Sequence, residues 1–464
     1  MGLTLDYTHC LADAIGATHG LTKSEVDTLI SKFPKHHENI DELRVTGESA
    51  FFESHSADIS EVRALIKKHA GKWENLLLVG IGGSILTPRS VFACLAHSQH
   101  NSLDAKQRKG APRVYFLSNP DPVVMAQTLD ALDAKKTLVQ VISRSGLTVE
   151  TQFMTSVILD WLRRKSGKSA PQQQMVITTE PEKSPLMELA KVEKCEVLRS
   201  PANLAGRFAL WGPSTLFMAG LVGIDIDALR NGGAEMHKRC WHGDPHRNPA
   251  YMHSLIHYLL TRKRRKTMHA TFPFSERLRG AADWYAHLCS VSLGKMLNRK
   301  GKAVHVGPSP VTGVGSFDCH GQQQLYSEGP FDKVVTFITV RDHGPKLSAM
   351  PLSAKHDGMS FLKDMDAATI LERAFVCAEN HVVTPGRPAM TIQIDAVDEA
   401  HLAGLYYVLM LSTVMSAELY GIDPFDQPGV DHGKHGLFAQ YGRAGFEDLS
   451  GKLTAHRAKP RRTC

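Results

Sequence analysis

Short, wholly apolar runs alternate along the first half of the chain with longer segments whose apolar residues recur every three or four positions. A continuous apolar run predicts a strand that is covered on both faces, whereas the three-to-four spacing predicts a helix. Strands are predicted in this way at 76–79, 113–117, 137–142 and 175–178. Their alternation with helical segments is typical of a parallel, doubly wound α/β sheet.

The second half of the chain repeats this pattern with wider spacing. Strands are predicted at 267–274, 334–340 and 391–394, and a single long helix is predicted at 275–298. We therefore expect a second α/β layer of the same kind, and with it a second domain.

The chain of 464 residues is long enough for two or three domains. We expect a helical, amphipathic segment, two α/β domains and a C-terminal helical segment, at 1–70, 71–230, 231–400 and 401–464. Within the last region, the stretch 400–417 contains no Asp, Glu, Lys or Arg. Its length would allow a membrane span, but its histidine and hydroxyl residues favour a buried core helix.

The first predicted strand runs into the glycine-rich sequence GIGGS at 80–84, and Thr87-Pro88 predicts the N-cap and first turn of the following helix. Small residues let backbone N–H groups converge, and a helix N-terminus adds partial positive charge, so the unit suits an anion. The dinucleotide pattern GxGxxG fails because Ile85 occupies the place of its third glycine, and no Walker loop is present. A phosphate site and a tight turn without a ligand both stay open at this point.

A second strand–loop–helix unit carries the sequence SRSGLT at 143–148. Its three hydroxyls, at the start of a helix, suit a phosphate group without adding counter-charge. The alternative is ordinary N-capping by Thr148, with Ser143 and Ser145 as turn residues. The helix that follows is predicted to bury one apolar face, formed by Val149, Phe153, Val157, Ile158, Trp161 and Leu162.

Composition narrows the class of protein. Apolar content of 42%, charged content of 22% and a net charge of +7 are ordinary for a soluble globular protein. The basic clusters at 262–266 and 459–462 are predicted to be solvated surface, and neither is interleaved with aromatic residues as a nucleic-acid site would be. The eight cysteines include no CxxC pair, and the N-terminus lacks the pattern of a signal peptide. A reduced, cytoplasmic protein without a membrane span is expected.

Five motifs, spread in order between about residues 75 and 440, resemble those of the phosphoglucose isomerases, which contain two sugar-isomerase (SIS) domains. They are GIGGS at 80–84, SRSGLTVET at 143–151, AGRF at 205–208, DCHGQQQLYSEGP at 318–330 and DPFDQPGVDHGK at 423–434. The resemblance implies an aldose–ketose isomerase that interconverts glucose 6-phosphate and fructose 6-phosphate, in glycolysis and gluconeogenesis. It also implies that no cofactor or metal is needed and that the protein is a homodimer.

The resemblance assigns roles to individual residues. Arg207 falls on the arginine that stabilises the enediolate, His320 on the ring-opening histidine and Lys434 on the lysine that assists ring opening. In the family this histidine reaches the site from the partner subunit, so the active site is shared. The positions that bind the substrate phosphate correspond to Gly83, Ser84, Ser143, Ser145 and Thr148.

One departure from the family bears on the reaction itself. The family's helix motif WYRQLWAESLGK, which carries the glutamate general base, reads WYAHLCSVSLGK at 284–295. Val291 therefore stands in the place of the glutamate, and His287 in the place of the glutamine. Valine cannot accept a proton, and loss of a general base costs about 10²- to 10⁴-fold in rate. The sequence thus predicts impaired isomerase activity, with His287 or Glu150 as a substitute base, or alternatively an inactive sugar-phosphate-binding protein.

Overall fold

The apolar runs of the first half form one parallel sheet in a computed structural model of the protein, which describes residues 2–180, 183–350, 354–363 and 365–457. The basic cluster predicted at 459–462 lies outside these residues. Strands β1 to β12 are, in chain order, Leu3–Asp6, Asn75–Gly80, Arg113–Leu117, Thr137–Ile142, Met175–Thr179, Glu196–Arg199, Met268–Pro273, Lys295–Leu297, Ala303–Val306, Ser309–Thr312, Lys333–Asp342 and Ala389–Ala396.

The first sheet has the strand order β3-β2-β4-β5-β6 and is parallel throughout. Strands β2, β4 and β5 are buried along their whole length, as their continuous apolar runs predict. The α/β class with parallel sheets is therefore confirmed.

The second sheet has the order β1-β12-β11-β7-β10. Four of its strands are parallel, and β1 joins the edge antiparallel to β12, with Leu3 opposite Ile394. The N-terminal segment is thus not wholly helical as predicted, because a four-residue strand is too short for its alternation to be recognised. The domain boundaries themselves stay a prediction.

Helices cover both sheets and form the layer between them. Helices α1 to α18 are, in chain order, Ala12–Ile15, Lys23–Ile30, Phe33–Val45, Ser60–His69, Gly83–Leu95, Pro122–Asp130, Val149–Ser166, Ala170–Gln174, Pro185–Glu193, Pro213–Leu221, Ile226–Cys240, Pro249–Arg264, Arg279–Leu293, Gln322–Glu328, Ala367–Val383, Glu399–Tyr420, Pro428–Gln440 and Glu447–Arg457.

Helix α16 lies in the centre of the main hydrophobic core, packed against α11, α12 and α13. It is the one helix of the described ranges that is long and apolar enough to cross a membrane, yet 94% of its apolar window is buried inside the protein. Near its end, burial opposes the charge of Glu418, but hydrogen bonds from His36, Asn39 and Arg299 lower its pKa to about 2. The prediction of a core helix is confirmed.

Two helix predictions need correction. The stretch 275–298 is not one helix, because α13 ends at Leu293 and Lys295 begins strand β8. The Lys295 ammonium donates to the carbonyls of Val291 and Ser292 at 2.8 and 2.9 Å, which caps the helix end. In α7 the side chain of Phe153 is 53% exposed. The buried face of α7 is rotated about the helix axis relative to the predicted face. It consists of Thr151, Met154, Thr155, Ile158 and Leu162.

The basic cluster at 262–266 is only partly the solvated surface that was predicted. Lys266 is fully buried and donates a hydrogen bond to the Phe331 carbonyl, and burial beside Arg387 lowers its pKa to about 8. Arg264 forms an ion pair with Glu25 at 2.7 Å. The cluster therefore ties α12 to the N-terminal helices instead of facing solvent throughout.

Three histidines lie together between α12 and β7 with their rings tilted against one another, and His253 and His257 are buried. Ring centroids of His253 and His257 lie 4.4 Å apart, and those of His257 and His269 lie 4.2 Å apart. Burial lowers the pKa of His253 to about 3 and of His269 to about 4, and lowers that of His257 as well. Among the described residues that line this cluster, none is a carboxylate that could stabilise a charged imidazole.

We expect the histidine cluster to make the fold sensitive to acid. The folded state keeps these imidazoles neutral, while the unfolded chain binds protons below about pH 6.5, so stability is complete above that pH and declines as pH falls. Urea unfolding should show the free energy of unfolding falling by about 1 kcal/mol per pH unit for each histidine between pH 6.5 and 5.

The variant His257→Gln should flatten this slope, whatever its effect on stability at pH 8. The matched control is His246→Gln, at an exposed position, which should leave the slope unchanged. Equal slopes in the parent and in His257→Gln would mean that the cluster does not titrate on unfolding.

Candidate active site

The two predicted loops emerge side by side because they follow neighbouring parallel strands. Gly80 at the end of β2 is paired in register with Ile142 at the end of β4. Helix α5 begins at Gly83, directly after the glycine-rich turn, with Gly82 as N-cap at φ +62°. The carboxyl edge of the first sheet therefore presents the N-termini of both α5 and α7 to one place.

The predicted N-cap at Thr87-Pro88 is wrong. Both residues lie inside α5, where the Thr87 hydroxyl contacts the carbonyls of Gly83 at 3.0 Å and Gly206 at 2.9 Å. A glycine at φ > 0 can itself stop the strand and start the helix, so no separate capping residue is required. Helix α5 therefore begins five residues earlier than predicted, directly at the glycine turn.

A second turn, at 205–207, lies against the glycine turn. A side chain at Gly83 would bring its Cβ within 2.6 Å of the Arg207 nitrogen, and one at Gly206 would lie 2.7 Å from the Ser84 nitrogen. Only glycine at both positions permits this contact between backbones. The contact fixes Arg207 beside the start of α5.

One pocket at this edge brings together most of the residues predicted for the site. All five predicted phosphate positions line it, together with Arg207 and Lys434. The residues that complete it on the side of α13 and α17 are His287, Val291, Gln427 and Val430. Arg144 and Thr151 also line the pocket and, like Gln427 and Val430, were not predicted. Arg144 could have been found as the one cation within the SRSGLT loop.

The hydroxyls of the second loop are arranged towards the pocket. Thr148 is the N-cap residue of α7, yet its side chain makes no capping hydrogen bond with any described residue. Its closest partner is instead the hydroxyl of Ser143, at 3.4 Å, while Ser145 accepts a bond from the Leu147 nitrogen at 3.2 Å. Ordinary N-capping by Thr148 therefore does not account for the loop, and the anion site is the better interpretation.

Arg207 is 3% exposed and held by four hydrogen bonds. Its Nε donates to the Ser292 hydroxyl at 2.9 Å and Nη1 to the Gln427 amide oxygen at 3.3 Å. Nη2 donates to the carbonyls of Pro424 at 2.7 Å and Asp426 at 3.1 Å. All four acceptors are neutral, so these bonds orient the guanidinium without cancelling its charge. Burial, with Arg144 nearby, lowers its pKa to about 10, which leaves it charged at neutral pH.

Lys434 projects from α17 beside a carboxylate. Its ammonium lies 2.8 Å from Asp431, which also accepts a bond from Gln427 at 3.1 Å. Although Asp431 is partly buried, these two donors lower its pKa. The pair holds Lys434 at the pocket wall opposite the two loops.

Helix α13 forms another wall through His287 and Val291, which are four residues apart and therefore on one face. The imidazole lies against the glycine turn, since a Cβ built on Gly82 would be 3.8 Å from its Cε1. Burial and the charge of Arg207 both lower the pKa of His287. Glu150, the other predicted substitute base, is not among the described residues that line the pocket.

His320 is the predicted site residue that the fold of a single chain does not bring to this pocket. It is exposed and lines a separate depression with Cys319, Gln324 and Cys377. Phe317 and Leu325, close to it in the chain, are 74% and 47% exposed.

Comparisons with known proteins agree with this geometry. The family model for phosphoglucose isomerase matches residues 58–440. The glucose-6-phosphate isomerase of Carboxydothermus hydrogenoformans is 32% identical over 95% of both chains, and that of Rubrobacter xylanophilus is 32% identical over 79% of this chain and 82% of its own.

A solved structure shows the same fold. The glucose-6-phosphate isomerase of Chlamydia trachomatis superposes with a TM-score of 0.80 at 17% identity, covering 99% of this chain and 92% of the other. The fold, the matched family model and the full-length relatives lead to one conclusion: the chain belongs to the phosphoglucose isomerase family.

Proposed function

We propose that the protein is an aldose–ketose isomerase that interconverts glucose 6-phosphate and fructose 6-phosphate, a step of glycolysis and gluconeogenesis in the cytoplasm. The observation that carries the proposal is the pocket that brings a buried Arg207, hydrogen-bonded only to neutral acceptors, together with two hydroxyl-bearing loops. Relatives that align over 95% of the chain and bear this enzyme name support the same substrate.

The phosphate group is assigned to the two loops at the sheet edge. Gly83 and Ser84 offer backbone N–H groups in the first turn of α5, and Ser143, Ser145 and Thr148 offer hydroxyls before α7. Two helix N-termini add partial positive charge, and Arg144 adds a full one. This combination suits a phosphate dianion better than a neutral sugar.

The wall formed by Arg207 and α13 is assigned to the reacting carbons. Isomerisation moves a proton between C2 and C1 through a cis-enediolate, whose negative charge develops on oxygen. A guanidinium that is already oriented by neutral acceptors can stabilise that charge without reorganising. In this proposal Arg207 binds the enediolate oxygen, and Lys434 assists opening of the sugar ring.

Position 291 favours a second candidate function. Val291 lines the pocket at the place where the family has its glutamate base, and its side chain cannot transfer a proton. A protein that binds the sugar phosphate without converting it, as a sensor or an assembly partner, would keep every other part of this pocket. Binding alone therefore does not distinguish the two candidates.

A homodimer with a shared active site is part of the proposal. His320 lies outside the pocket of its own chain, on a surface where Phe317 and Leu325 expose apolar side chains. Covering this surface with a second copy would bury apolar area and could deliver His320 to the partner's pocket. The exposed patch thus supports the histidine role that the resemblance implies.

Turnover of fructose 6-phosphate in a coupled assay tests the proposed function. We expect the parent protein to isomerise slowly and Val291→Glu to be about 10²- to 10⁴-fold faster, because the variant regains a carboxylate base. The control is Val430→Glu, which adds a carboxylate at another position of the same pocket. A parent with no turnover that still binds the sugar phosphate would favour the binding protein.

Complementation tests the shared site, in the faster Val291→Glu background. Chains carrying Arg207→Gln and chains carrying His320→Ala are co-expressed with two different affinity tags, and mixed dimers are purified. The homodimer of either variant should be nearly inactive, whereas the mixed dimer should have one intact active site out of two, or about half of the activity. If His320 acts within its own chain, both sites of the mixed dimer are damaged and activity does not return.

A further inference from the structure

We propose that His287 is the general base of this protein and performs the C2-to-C1 proton transfer in place of the missing carboxylate. This inference rests on the proposed isomerase function and adds to it the residue that carries the proton. Three features of the pocket support it: the direction of the side chains on α13, the lack of a hydrogen-bond partner for the imidazole among the described residues, and the charges around the imidazole.

The first feature is position. His287 and Val291 lie one helical turn apart on the pocket face of α13. Long side chains on a helix lean towards its N-terminus, so a glutamate at 291 would project back over the turn that carries His287. The imidazole of His287 leans the same way, so it lies about one helical turn, or ~5 Å, from where that carboxylate would act, on the same wall of the pocket. Its edge also borders Gly82 in the turn assigned to the phosphate.

The second feature is that the His287 imidazole has no hydrogen-bond partner among the described residues, although it lines a polar pocket. Two buried histidines of the core differ from it, since His253 bonds to Ser412 at 2.7 Å and His257 to Thr336 at 3.1 Å. His287 instead offers ring nitrogens to whatever occupies the pocket.

The third feature is charge. Burial and the charge of Arg207 lower the pKa of His287, so the ring is neutral at neutral pH and able to accept a proton. Arg207, Arg144 and Lys434 are the cations that line the same pocket. They disfavour an imidazolium, but the phosphate and the enediolate bring negative charge that offsets this effect. Because these three cations disfavour a protonated imidazole, His287 is a weaker base than a carboxylate at 291 would be.

The proposed step balances without a further reactant. A neutral ring nitrogen of His287 takes the proton from C2 of the open-chain aldose, and the C–H electron pair becomes the C1–C2 double bond. The carbonyl electron pair moves to O1, where Arg207 stabilises the enediolate. The imidazolium then returns its proton to C1, and the O2 hydroxyl proton passes to O1. C2 is oxidised to a ketone while C1 is reduced to an alcohol.

The rival substitute, Glu150, fits this role less well. It belongs to the first turn of α7, and it is not among the described residues that line the pocket. Its Oε2 atom is buried without a hydrogen-bond partner in the described part of the chain. A carboxylate that does not line the pocket is poorly placed to exchange a proton with a sugar held inside it.

A four-variant comparison tests the proposal: the parent, His287→Ala, Val291→Glu and the double variant that carries both changes. Turnover of fructose 6-phosphate and exchange of the C2 proton of glucose 6-phosphate with deuterated water are measured on each. We expect His287→Ala to lose about 10²- to 10⁴-fold in both rates with little change in KM. The double variant should recover to within tenfold of Val291→Glu, because a carboxylate at 291 makes the imidazole unnecessary.

The control for folding and binding is sorbitol 6-phosphate, which has the phosphate but no carbonyl and cannot react. All four proteins should bind it with similar affinity. The proposal is overturned if His287→Ala keeps the parental rates, or if the double variant stays as slow as His287→Ala, which would make His287 a structural residue. A parent that binds sorbitol 6-phosphate but shows neither turnover nor exchange would instead overturn the proposed isomerase function.

Discussion

The active site depends on one contact between backbones, that of the glycine turn at 82–84 with the turn at 205–207. Gly83 and Gly206 approach the opposite turn so closely that a Cβ at either position would meet backbone atoms within 2.7 Å. The contact joins the start of α5 to the residue that carries the site's buried charge. The glycine turn and Arg207 are therefore positioned by a single steric constraint, which fixes the distance between them.

The charge at Arg207 is in turn supported by the apolar core. The indole of Trp284 donates a hydrogen bond to the Arg207 carbonyl at 3.0 Å and stacks on Tyr406 of α16, with ring centroids 3.9 Å apart. The charge-poor helix α16 thus acts on the site through one aromatic pair. A long core helix without charged residues in its centre provides a rigid, dry support for a guanidinium that has only neutral partners.

Much of the fold was predictable because buried parallel strands are continuous apolar runs, and the loops after β2 and β4 carry glycine and hydroxyl residues. Features that depend on tertiary contacts were not predictable. The start of α5 was placed too late, since Thr87-Pro88 is a stronger local signal than a glycine whose φ is positive. The strand β1, the buried face of α7 and the buried Lys266 likewise depend on partners distant in the sequence.

The site residues also divide into those that local motifs predict and those that depend on tertiary contacts. Motifs located Ser84, Ser143, Thr148 and Lys434, which the fold brings into one pocket. Gln427 was missed because its role depends on meeting Arg207 across 220 positions of sequence. The separation of His320 from the pocket is visible only in three dimensions.

The end of α13 keeps its contacts with Arg207 without using the side chain at position 291. Ser292 holds the Arg207 guanidinium, and Lys295 ties the carbonyls of Val291 and Ser292 to the carboxylate of Asp426, 3.2 Å from its ammonium. These bonds use the backbone at 291 and the side chains of Ser292 and Lys295, but not the side chain of 291 itself. A substitution at 291 therefore leaves the helix end and Arg207 in place. By contrast, a change at Ser292 would remove one of the four hydrogen bonds of the guanidinium, and a change at Trp284 would remove the bond to the Arg207 carbonyl.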